Sequence, residues 1–88
     1  MKINEVNAKE NGFGVTVIAY ADSEKYGEAT LAVFVGEDER LCVYGERINP
    51  VDPGEGPLDE YEDRDEALAS EYGEAFKPLV ALADAMIG

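Results

Sequence analysis

The chain has 88 residues, with 20 Asp and Glu against 7 Lys and Arg, giving a formal net charge of −13, and 45% of its residues are hydrophobic. That length predicts one domain over residues 1–88, with little room for both a core and an enclosing active-site cleft. The charge disfavours direct contact with nucleic acid or an anionic membrane, and the ordered apolar runs exclude a disordered acidic tail.

The first half reads as β structure, an antiparallel meander over residues 1–48. Lys2 to Val6 is a short strand, followed by the turn dipeptide Asn11-Gly12. Phe13 to Ala21 is rich in β-branched and aromatic residues and forms the second strand. Asp22 to Gly27 is a loop. Ala29 to Val35 is the third strand, closed by Gly36 and the polar turn Glu37 to Arg40. Leu41 to Tyr44 is the fourth, with a possible extension to Ile48. Strands two and three are apolar on both faces, which places them centrally, with helices over one face.

Residues 49–57 contain three prolines and two glycines and form a joint that can be neither helix nor central strand. From Leu58 onward the period is helical. Asp59 is the expected N-cap, with acids crowding the first turn. Tyr61, Leu68, Tyr72, Phe76, Leu79, Ala83 and Ile87 fall on one apolar stripe. Gly73 and Pro78 interrupt it, so the expectation is two helices joined near Gly73, or one kinked helix. The fold class is therefore α+β: a four-stranded, mainly antiparallel sheet followed by two C-terminal helices on one face.

Catalysis is disfavoured by residue type. The chain has no histidine, which removes the commonest general base and neutral metal ligand. Ser23 and Ser70 have no base of the Ser-His kind beside them. Cys42, between Leu41 and Val43, reads as a small buried hydrophobe. As the sole cysteine it can form no intrachain disulfide, which fits a reducing cytoplasm. The stretch after Asp52 does not match a calcium loop, and Asp63-Arg-Asp65 is a bare acidic pair. No enzyme activity, cofactor or metal site is expected. No apolar run approaches the ~20 residues that would span a bilayer.

What remains is the acidic run Asp59, Glu60, Glu62, Asp63, Asp65 and Glu66, six acids in eight residues. On a helix rising ~1.5 Å per residue the run covers about 12 Å, or about one negative charge per 2 Å. Double-stranded DNA carries one per ~1.7 Å of axis. Glu37, Asp38 and Glu39 form a second cluster, and Glu24, Glu28, Glu46, Asp52 and Glu55 extend the field. Tyr26, in a turn, is an interface aromatic, whereas Tyr61 and Tyr72 belong to the core.

In size and charge the chain resembles small phage-encoded DNA mimics, including anti-restriction and anti-CRISPR proteins, and acidic immunity proteins that neutralise nuclease toxins. The likeness lies in composition. It implies an inhibitor acting in the cytoplasm on a basic protein partner, whether nuclease, CRISPR effector or toxin. The alternative is a non-mimic interaction module, a toxin immunity protein or a structural adaptor using Phe34, Tyr26 or Tyr44, with acidity serving only solubility. The sequence sets no oligomeric state.

Overall fold

The computed structural model describes residues 1–45 and 56–87. Five strands and two helices follow in chain order: β1 (Lys2–Asn11), β2 (Gly14–Ser23), β3 (Gly27–Gly36), β4 (Arg40–Gly45), β5 (Asp59–Tyr61), α1 (Arg64–Ala69) and α2 (Gly73–Ile87). The sheet order is β1-β2-β3-β4-β5, and every neighbouring pair is antiparallel. The α+β class with a meander and C-terminal helices is as the sequence implies. The expected four strands are five, and β1 runs to Asn11 instead of stopping at Val6.

Strand alternation explains the layers. Val15, Val17, Ala19 and Ala21 of β2 face one side, opposite Val35, Val33, Leu31 and Ala29 of β3 in register. Leu41 and Val43 of β4 continue that surface beside Val33 and Leu31. Helix α2 lays Phe76, Leu79, Val80 and Ala83 on it, with Tyr72 just ahead of the helix joining the same cluster. These positions recur every three or four residues, as a helix with one buried stripe requires. The opposite sheet face buries only Ala32, Cys42 and Tyr44 as an apolar cluster, with Phe34 packed against them.

Three details of the helical half differ from the expectation. Asp59 begins a strand instead of capping a helix. The N-cap is Asp63, whose Oδ1 accepts from the Asp65 N–H at 2.8 Å. Leu68 is at the surface, and Ala67 takes the buried place on α1. Ile87 also lies half exposed at the helix end.

The break near Gly73 stands where the sequence puts it. A Cβ at Gly73 would lie 2.0 Å from the Leu68 carbonyl oxygen, so only glycine lets α1 and α2 meet this closely. Pro78 sits inside α2, in its second turn, where it deprives the Glu74 carbonyl of its usual donor. Of the expected joint, residues 49–55 lie outside the described residues, as do Glu46, Asp52, Glu55 and the extension to Ile48. Among the described residues no helix is long and apolar enough to cross a membrane.

Candidate functional site

The acidic run does not lie on one helix. Asp59, Glu60 and Tyr61 pair with β4, where Val43, Cys42 and Leu41 stand opposite them. Glu62 and Asp63 form the connection, and only Asp65 and Glu66 stand in the first turn of α1. A strand advances about 3.3 Å per residue, so the first part of the run is spread about twofold relative to a helix. The single line of charge at DNA-like spacing is therefore replaced by something else.

Alternation in β5 sends its two acids to opposite sides of the sheet. Asp59 turns to the helical side, where its Oδ2 accepts from the Tyr26 hydroxyl at 2.8 Å. Glu60 turns to the open face and pairs with Arg40 at 3.7 Å. Tyr61 packs on the core with its ring edge-on to Phe76, centroids 6.0 Å apart. Burial pushes the Tyr61 hydroxyl up from its ordinary range.

The β4–β5 register carries the chain back toward the β3–β4 turn. Since Leu41 opposes Tyr61, Glu62 emerges beside Arg40 and the turn acids. Glu37, Asp38, Glu39, Arg40 and Glu62 line one shallow depression of about 330 Å³. The fold thus brings Glu62 of the acidic run beside the Glu37–Glu39 cluster at one corner of the sheet.

Arg64 organises that corner from behind. Its Nε donates to Glu39 Oε1 at 3.1 Å and its Nη2 to Glu39 Oε2 at 2.6 Å. Its Nη1 reaches Asp84 Oδ2 at 2.8 Å, and Nη2 also reaches Asp84 Oδ1 at 3.1 Å. Hydrogen bonds to Glu39 and then Asp84 push the guanidinium further up from an already high value. The same contact holds the Asp84 carboxyl below its ordinary range. Glu39 is thereby neutralised within the fold. Glu37, Asp38, Glu62, Asp65 and Glu66 have no cation partner among the described residues.

Tyr26 is built into the fold. It is half-buried, stacks on Tyr72 at 6.4 Å between centroids, and carries Lys25 Nζ 5.1 Å from its ring centre. Tyr44 is buried, which pushes its hydroxyl up to about 12. Burial likewise raises the Cys42 thiol.

Two residues of this region carry signals in the sequence that composition alone obscures. Arg64 is the only base within the acidic run, a place where one cation must face many anions. Phe13 stands between Gly12 and Gly14 at a hairpin tip and is 81% exposed. Among the described residues no group of three or more Cys, Asp or Glu side chains is arranged to hold a metal ion. Compared with family models, curated proteins and solved structures, the chain matches none.

Proposed function

We propose that this chain is a protein inhibitor whose acidic corner occupies the basic nucleic-acid-binding surface of a partner, such as a nuclease or CRISPR effector, in place of nucleic acid. One observation carries the reading. Arg40 and Arg64, the bases nearest the corner, are engaged with Glu60, Glu39 and Asp84. The outward carboxylates of Glu37, Asp38, Glu62, Asp65 and Glu66 are left uncompensated among the described residues. Such a field steers cationic surfaces into contact and rejects anionic ones.

Mimicry here rests on a patch drawn from two chain segments, not on a helix with the pitch of DNA. In this reading the protein turns over no substrate, and it acts in the cytoplasm, in keeping with a single buried thiol.

The test is competition. Labelled duplex DNA bound to each of a panel of nucleases and CRISPR effectors is challenged with the protein at about 50 mM and about 300 mM salt. The expected result is displacement from at least one partner, weakening with salt. Displacement should be lost in the Asp38→Lys, Glu62→Lys, Glu66→Lys triple variant. Displacement that survives the triple reversal would sink the proposal, as would none from any member of the panel.

A further inference from the structure

We infer that the groove between the β1–β2 and β3–β4 turns receives an arginine side chain of the cationic partner, an inference that rests on the inhibitor reading above. The groove holds about 260 Å³ and adjoins the acidic corner, with which it shares Glu37 and Asp38.

Its construction begins with two glycines. Gly14 and Gly36 face each other in register at the ends of β2 and β3. A Cβ on Gly14 would lie 2.1 Å from the Val35 carbonyl oxygen, and one on Gly36 would lie 2.1 Å from that of Phe13. Gly14 also has a φ of +150°, a conformation side chains rarely adopt. The floor is therefore bare backbone, and no side chain can be placed there without moving the strands.

Asn11, Val15, Thr16 and Val35 also line the groove, and two aromatic rings and two carboxylates give it its chemistry. Phe13 is held at the tip by an Asx turn, its N–H donating to Asn11 Oδ1 at 2.8 Å. At 81% exposed it is the most exposed large hydrophobic side chain among the described residues. Phe34 contributes a second, half-buried ring. Glu37 and Asp38 supply carboxylates with no cation partner among the described residues.

This combination suits one side chain. Guanidinium is planar, stacks on aromatic faces and donates a fork of N–H groups to carboxylates. Lysine offers a compact, strongly hydrated charge that gains less from a ring. Charge alone would treat the two alike, so discrimination between them is the signature of the groove.

The probes are fluorescein-labelled octa-arginine and octa-lysine, titrated by anisotropy at about 50 mM salt. The wild type should bind octa-arginine tighter by about three- to fivefold. Phe13→Ala and Phe13→Leu should bring octa-arginine down to the octa-lysine level and leave octa-lysine unchanged, while Phe13→Tyr keeps the preference. Thermal melts confirm that these exposed-site variants stay folded. Equal affinity of the wild type for both peptides would overturn the inference, as would a preference that outlasts Phe13→Ala. Either result leaves the acidic-surface reading standing. Binding of neither peptide would overturn that reading and the groove with it.

Discussion

Arg64 and Glu39 form a two-point contact that ties the start of α1 to the β3–β4 turn, and the same guanidinium extends the tie to Asp84 near the end of α2. One cation thus joins three elements, the β3–β4 turn, α1 and α2. Arg64→Met should lower stability by about 1 kcal/mol, since the partners are partly exposed and screened by solvent. The pH dependence has a fixed sign. Arg64 depresses the Asp84 carboxyl below its ordinary 3.8 in the folded state. That contribution is fully present above the ordinary value and is lost as pH falls through the depressed one. Urea melts should therefore show the gap between wild type and Arg64→Met at neutral pH and its narrowing below about pH 4.

Tyr26→Phe separates a structural role from an interfacial one. The variant loses only the hydroxyl that Asp59 accepts. The expected cost is about 1 kcal/mol, or roughly 4–8 °C in melting temperature for a domain of this size. Peptide affinity should not change. A double-mutant cycle with Asp59→Asn should show coupling between the two positions. Lower affinity with an unchanged melting temperature would return Tyr26 to the interface.

Phe76 is fully buried where α2 meets the sheet, and its ring carries Tyr61 from β5. Phe76→Ala should cost about 3–5 kcal/mol. Set against a total of roughly 5–15 kcal/mol, that leaves a marginal fold. Denaturant midpoints measured by far-UV circular dichroism would show it. The β5 pairing should loosen first, visible as faster amide exchange at Leu41 and Val43.

Glu62→Lys should act on stability and binding in opposite directions. Placed beside Glu37, Asp38 and Glu39, the new cation relieves repulsion and should stabilise by a few tenths of a kcal/mol. Cationic-peptide affinity should fall. Adding salt should raise the wild-type melting temperature more than that of the variant, because screening supplies the same relief.

The meander was legible in the sequence because β-branched runs and turn dipeptides report directly on strand and turn. The break at Gly73 was legible for a similar reason, since glycine and proline punctuate helices. Strand β5 was not. Asp59-Glu60-Tyr61 has poor strand propensity and resembles an acid-rich helix start; pairing with Leu41 to Val43 and the seat of Tyr61 on Phe76 override that preference. The sequence points to Asp59 as the cap, and Asp63, an aspartate four residues later, takes the role in the structure. The choice falls to Asp63 because Asp59 is taken up by β4 and by Tyr26. Shifting the helix start also turned α1, which moved Ala67 inward and Leu68 out. The meeting of Glu62 with the Glu37–Glu39 turn is a product of strand register, which no local pattern carries.

The ten-residue strand β1 stands at the edge of the sheet, paired on one side only with β2 among the described residues. A long edge offers its free backbone groups to any extended chain that reaches it, another copy included. Local deterrents are modest: Lys2, Lys9 and the bulge between Ile3 and Glu5. The larger deterrent is colloidal, since copies carrying a net charge of −13 repel one another before their edges can meet. Acidification removes that barrier while leaving the edge in place. The same carboxylates proposed to attract a cationic partner thus also oppose self-association.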